Sequence, residues 1–157
     1  MELDSFDRRL LTALQRDNRQ TGEELAEIAG LSPAACLRRV QRLRDEGVIA
    51  RDVSLLAPEA AGRGLTVIVM VALERDGTNR FDVAERFKAA MQQAAEVTQC
   101  YYVTGPTDFV VIVSIPSMED YDAFTRKYFF EKHIKRFETI VSMGRVKFET
   151  AVPLATD

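Results

Sequence analysis

LSPAACLRRVQRL, residues 31–43, carries three arginines on a stretch whose apolar residues recur at helical spacing. Ser32 followed by Pro33 is a helix start: a hydroxyl N-cap, then a proline at the first helical position, where its missing N–H costs nothing. Gly47 is expected to close the helix as its C-cap. At about 100° per residue, Cys36, Val40 and Leu43 fall on one arc with Leu37 at its edge. Arg38 and Arg42 stand one turn apart on the opposite face, beside Ala34, Ala35 and Gln41. That face is cationic yet small at its N-terminal end, so it can approach another surface closely. On an isolated helix such arginines form an ordinary solvated face. The preceding residues decide between these readings.

Asp4 is placed to cap a first helix in which Phe6, Leu10, Ala13 and Leu14 share a face. Thr21-Gly22-Glu23-Glu24 is a capping box, threonine at N-cap and glutamate three residues on. It opens a short helix that points Leu25, Ile28 and Ala29 toward a core, and Gly30 is the turn. A short helix, a glycine turn and a helix with a polar outer face have the spacing of a helix-turn-helix. The second helix of such a motif enters the major groove of double-stranded DNA, leading with its N-terminal residues. Ser32, Ala34, Ala35 and Arg38 are therefore expected at base edges, with Pro33 among the contacting residues. Arg39 and Arg42 are expected at phosphates, where they fix position without reading sequence.

The whole chain bounds this reading. Its 157 residues are enough for one or two small domains, and a formal charge of -3 gives no global basic signature, so a DNA interface must be a local patch. Arginine is the only strong cation of the first 64 residues. Cys36 and Cys100 lack metal-ligand spacing and are expected to be reduced, buried thiols. A single histidine, His133, argues against a histidine-based metal site, and no cofactor is expected. Neither a signal peptide nor a membrane-length apolar run is evident, so a cytoplasmic protein is expected.

Beyond Gly47 the period changes. Val48-Ile49 and residues 53–56 are expected to be short extended pieces, and Pro58, Gly62 and Gly64 punctuate a connection. Then come two continuous apolar runs, LTVIVMVAL at 65–73 and FVVIVSI at 109–115, apolar on both faces of a strand. Val83, Phe87, Ala90, Met91 and Ala94 form a helical stripe between them. Residues 97–104 are a strand, and Gly105-Pro106-Thr107-Asp108 turns it into the second apolar run. Pro116-Ser117 starts a helix carrying Tyr121, Phe124 and Tyr128. A last extended region is expected through 139–141 to 146–148. Strand, helix, strand, strand, helix, strand is the split βαβ of ferredoxin-like folds, whose first and third strands lie centrally. Two helices cover one face of a four-stranded sheet. Since the other is apolar here too, a sheet-to-sheet homodimer is expected, which also suits paired DNA half-sites.

Leu3-Asp4 with Asp7 and Leu10-Leu11, Leu31-Ser32-Pro33, and Arg39-Val40 through Leu43 to Gly47-Val48-Ile49 resemble the N-terminal signature of the Lrp/AsnC transcription regulators. Gly105 with Asp108 resembles the effector-domain motif of that family. Val146-Lys147 with Val152-Pro153-Leu154 resembles its closing strand. The resemblance implies an α+β protein: an N-terminal winged-type helix-turn-helix domain with a linker strand, 1–64, joined to a ferredoxin-like βαββαβ effector-binding and oligomerisation domain, 65–157. It implies dimers that can build octamers and control by an amino acid bound between dimers near the Gly105 to Asp108 turn. A glycine turn can offer N–H groups to a carboxylate and Asp108 can hold an ammonium, although Asp108 can equally serve the hairpin alone. Tyr101, Thr104, Thr139 and Ser142 flank the turn or the last strand and are further candidates. Thr107 stands where the family often has a bulkier aromatic residue. An enzyme on the same fold, such as a haem-biosynthesis decarboxylase, would need placed acid–base groups. His133, among Glu131, Lys132 and Lys135, is expected at the surface instead. A stand-alone amino-acid-binding module would leave the arginine helix without a purpose. The expectation is a non-enzymatic regulator.

Overall fold

The computed structural model describes residues 2–74 and 80–154. The chain divides into two compact units, Met1–Leu55 with Val146–Asp157, and Leu56–Arg145.

The first unit is built on α1 (Ser5–Arg16), α2 (Gly22–Ala29) and α3 (Pro33–Asp45). Each begins with a side-chain cap that takes up an otherwise orphaned N–H. Asp4 accepts from Asp7 N at 2.8 Å, Thr21 from Glu24 N at 3.3 Å and Ser32 from Ala35 N at 3.3 Å. Gly30, at φ +73°, is the left-handed residue that ends α2 and starts the turn into α3. The C-cap of α3 is Glu46, and Gly47 at φ +72° follows it. Leu10, Ala13, Leu25, Ala29, Cys36 and Val40 form the core. Each fully buried leucine among them contributes about 1.5–3 kcal/mol by leaving water. Ile28, expected in this core, is half-exposed, because Leu25 and Ala29 already fill the inward arc of a helix only two turns long.

No strand forms in this unit among the described residues: Val53 and Leu55 are exposed. The expected closing strand at 146–148 does not form either. Ser142 N donates to Thr66 O at 2.9 Å, and β1 begins at Leu65, so the last strand has run out of partner. The chain then returns to α1, where the Gln15 amide brackets Val152: its Nε2 donates to Val152 O at 3.1 Å and its Oε1 accepts from Val152 N at 2.6 Å.

The second unit follows the order β1 (Leu65–Leu73), α4 (Arg80–Gln93), β2 (Val97–Tyr102), β3 (Phe109–Ile115), α5 (Met118–Tyr128), β4 (Ile134–Val141). The sheet order is β2-β3-β1-β4, with neighbours antiparallel. The two doubly apolar runs are the two central strands, as their composition requires. Val67, Val69, Val71, Val111 and Val113 are fully buried beneath α4 and α5, against Phe87, Met91, Tyr121 and Phe124. The alternate residues Ile68, Met70, Val110 and Ile112 lie on the other face and are half-buried. Phe109 anchors the helix-covered side, its ring 4.6 Å from Phe87.

Candidate nucleic-acid interface and ligand cleft

Along α3 the N-terminal positions Ser32, Pro33 and Ala34 are exposed, Ala35 is half-buried, and Arg38 is exposed. Among the described residues Arg38 makes no ion pair. This end of the helix presents small side chains and one cation to solvent.

Arg39 and Arg42, expected at phosphates, are both ion-paired within the unit. Arg39 Nη1 donates to Asp4 Oδ2 at 2.7 Å and to Asp7 Oδ1 at 2.8 Å, and its guanidinium lies 5.4 Å from the Phe6 ring. Arg42 Nη2 donates to Asp7 Oδ2 at 2.7 Å. The Asp7 side chain is 1 % exposed, so its carboxylate is satisfied by protein donors in place of water. Neither arginine is thus a free cation waiting for phosphate. Hydrogen bonding, first from Asp7 N and then from Arg39, holds the Asp4 carboxyl below its ordinary value. The same partners, Asp4 first, raise the Arg39 guanidinium. Arg44 is also engaged, its Nε 2.9 Å from Asp52 Oδ2. Sequence reasoning used Asp4 as a cap and missed Asp7 as a clamp. The available signal was two acids at N-cap and N3 of a helix that must cross an arginine helix.

At the other candidate site Gly105 has φ +126°, which side chains rarely adopt. Its hairpin is stitched to the end of β1: Asp108 N donates to Val71 O at 2.9 Å, and Thr107 Oγ1 donates to the same oxygen at 2.8 Å. The Asp108 carboxylate, only 4 % exposed, accepts from Leu73 N at 2.8 Å. It borders a cleft of about 310 Å³ lined by Ala72, Leu73, Pro106, Asp108, Lys135 and Arg136. Thr104 and Gly105 are exposed on the turn.

The remaining candidates do not converge there within one chain. Tyr101 lies on the open face opposite Val110, and its hydroxyl bonds Gln99 Oε1 at 2.9 Å. Thr139 pairs with Val69 and meets the Tyr121 hydroxyl at 2.7 Å, on the helix-covered side. Burial pushes that phenol up, partly offset by the Thr139 bond. Ser142 is beside Thr66, the far end of β1 from Leu73, about 23 Å away at roughly 3.3 Å per residue. Period-2 spacing says which residues share a face, and only the register says which share an end. Cys100, expected to be buried, is exposed on the outer strand β2, whereas Cys36 is buried. His133, expected at the surface, is half-buried and lines a separate cleft of about 430 Å³ with Phe87, Arg86 and Lys127.

Residues 3–50 match the winged helix-turn-helix DNA-binding family, and residues 66–152 match the Lrp/AsnC ligand binding domain. The chain belongs to the Lrp/AsnC family. An uncharacterised HTH-type transcriptional regulator of Sinorhizobium fredii is 53% identical over 155 residues, covering 98% of this chain and 90% of that protein. The leucine-responsive regulatory protein of Escherichia coli K12 is 38% identical over 120 residues, 76% of this chain and 71% of that one. Among solved structures, a transcriptional regulator–L-Met complex from Neisseria meningitidis superposes with a TM-score of 0.88 at 29% identity, covering 97% of each chain. An AsnC family regulator from Agrobacterium tumefaciens gives 0.88 at 30% identity, over 96% of this chain and 97% of that one. This Lrp/AsnC protein is an effector-modulated, DNA-binding transcriptional regulator. No helix among the described residues is long and apolar enough to cross a membrane.

Proposed function

We propose that this regulator reads double-stranded DNA with the N-terminal half of α3 and is controlled by an amino acid held at the Asp108 turn. Ser32, Pro33, Ala34 and Ala35 give the helix a narrow leading end, and Arg38 supplies a planar donor suited to a guanine edge. The functional division falls near residue 64, with DNA contact before it and effector binding and assembly after it, in the cytoplasm.

One observation carries the effector half: the cleft beside Asp108 joins a buried carboxylate with Lys135 and Arg136. Opposite charges across so small a space suit a zwitterion, the carboxylate to the cations and the ammonium toward the acid. The structural relative bound to L-Met supports the ligand class. Thr104 and Gly105 supply the turn. Tyr101, Thr139 and Ser142 do not line this cleft, and a neighbouring copy can bring them to such a site. The apolar open face, with Ile68, Met70, Val110 and Ile112, supports a sheet-to-sheet dimer that places two α3 helices on paired half-sites, and dimers can assemble further. Effector binding between copies then changes assembly or helix spacing, a coupling typically of about 1–3 kcal/mol and so several-fold in promoter occupancy.

The test is a thermal-shift screen against the twenty amino acids at millimolar concentration. A ligand at about 100 times its Kd stabilises by roughly 2.7 kcal/mol, well within what melting resolves. A selective shift abolished by Asp108→Asn supports the site. Shifts that survive this substitution place the ligand elsewhere, and no shift with any of them rejects an amino-acid effector at this strength.

A further inference from the structure

We infer that Asp7 is a positioning residue of the DNA interface: with Asp4 it withholds Arg39 and Arg42 from DNA phosphates, leaving Arg38 as the uncompensated cation of α3. This rests on the reading of α3 as the helix that meets DNA.

Three features of the cluster point the same way. First, both Asp7 carboxylate oxygens are committed, Oδ1 to Arg39 at 2.8 Å and Oδ2 to Arg42 at 2.7 Å. Because Asp7 is almost wholly buried, an arginine swinging away to a phosphate would leave one of its carboxylate oxygens short of a donor, with little water to replace it. Removing a donor from a buried carboxylate costs more than a solvent-screened phosphate contact returns, even though the arginines themselves are partly exposed. Second, Arg39 has a second carboxylate in Asp4, which cannot drift because it caps α1 through Asp7 N. Two carboxylates thus face two guanidinium groups, and the cluster is locally neutral. Third, Arg44 is matched by Asp52, so three of the four α3 arginines have acidic partners within the same unit.

The consequence is selectivity. Non-specific DNA binding comes almost wholly from cations that displace counterions at phosphates, and this term is blind to sequence. Neutralising Arg39 and Arg42 lowers that background while Arg38 keeps its access to base edges, so the ratio of specific to non-specific affinity rises. The clamp also joins the start of α1 to α3 and fixes how the reading helix is held.

The decisive experiment is a double-mutant cycle on the whole 157-residue chain, Asp7→Asn with Arg42→Gln. The probe is a fluorescein-labelled duplex of arbitrary sequence, titrated by anisotropy from about 50 to 200 mM salt. Arg42→Gln alone is expected to change Kd by less than about twofold, but by about fivefold or more in the Asp7→Asn background. Asp7→Asn alone is expected to bind more tightly, with a salt slope steeper by roughly one to two, since each added phosphate contact contributes about 0.9. Mere loss of a negative charge would make the two substitutions additive. An equal factor in both backgrounds therefore overturns the inference. Should Asp7→Asn fail to fold, the cycle of Asp4→Asn with Arg39→Gln uses a half-exposed acid and must show coupling of the same sign, smaller because Asp7 Oδ1 still holds Arg39; additivity there overturns the inference as well. A parent protein that binds no duplex at low salt rejects the DNA reading of α3, and this inference with it. That outcome is distinct from intact binding without coupling.

Discussion

Replacing Asp108 by alanine should weaken the sheet before it touches any question of ligand. The carboxylate is 4 % exposed and accepts the Leu73 N–H at 2.8 Å. Leu73 is itself 2 % exposed, so its amide loses its acceptor where little water reaches it. An orphaned buried donor costs about 1–3 kcal/mol, and a hydrogen bond to a charged group contributes about 1.5–3 kcal/mol. Those ranges describe one event from two sides and are not summed: the expected loss is about 2–3 kcal/mol. Asp108→Asn keeps an oxygen in place and should lose about 1 kcal/mol, the difference between a charged and a neutral acceptor. Urea unfolding followed by far-UV circular dichroism gives the loss as a lower midpoint at unchanged slope. Exchange of the Leu73 amide locates it, with protection reduced about 30-fold or more at roughly 1.4 kcal/mol per decade. An alanine variant within about 0.5 kcal/mol of the parent, with Leu73 still protected, would refute the reasoning, because surface substitutions do no worse than that.

Three further outcomes are expected. Arg38→Ala should lower affinity for a selected operator by about 1–3 kcal/mol and narrow the gap between sites, measured by competition between duplexes, with no narrowing counting against base reading. Met70→Asp puts a charge in the middle of the open sheet face and should convert the dimer to monomer in light scattering; a parent that is already monomeric at micromolar concentration rejects the sheet-to-sheet dimer. Acid stability carries the signature of Asp4, whose carboxyl is held below its ordinary value in the folded chain, first by the bond from Asp7 N. Its contribution is complete above the unfolded value, at neutral pH, and is lost as pH falls through the folded one. Asp4→Asn should therefore flatten the acid limb of a melting-temperature profile below about pH 4. An unchanged limb would show that Asp4 contributes nothing there.

Short-range chemistry was readable from the residues alone. Each helix start in the first unit is marked by Asp4, Thr21 or Ser32, and the runs at Leu65–Leu73 and Phe109–Ile115 declared themselves central by being apolar on both faces. What stayed hidden depends on distance in the chain. Asp7 meets Arg39 and Arg42 over separations of 32 and 35 residues. Helical periodicity shows that an arginine faces outward, but not whether an acid from another helix is waiting there. Ser142 and Asp108 both flank β1, yet at opposite ends, because antiparallel register and not spacing decides which end a residue reaches. Asp108 was open to two readings, a ligand group or a hairpin support. The bond to Leu73 N shows that it performs the second task whatever it does for a ligand.

The bracket between Gln15 and Val152 bears on how proteins of this build can be recombined. The polypeptide leaves the helical unit after Leu55 and re-enters it at Val146, so the sheet unit is inserted into the helical one. A chimaera spliced at residue 56 would import a foreign terminal segment along with a foreign effector half. That segment would have to offer its backbone to Gln15 on the host's first helix. A graft that exchanges only Leu56–Arg145, with two junctions, leaves the host's own segment in place. Cut-and-paste with a single seam severs a unit that the fold keeps whole.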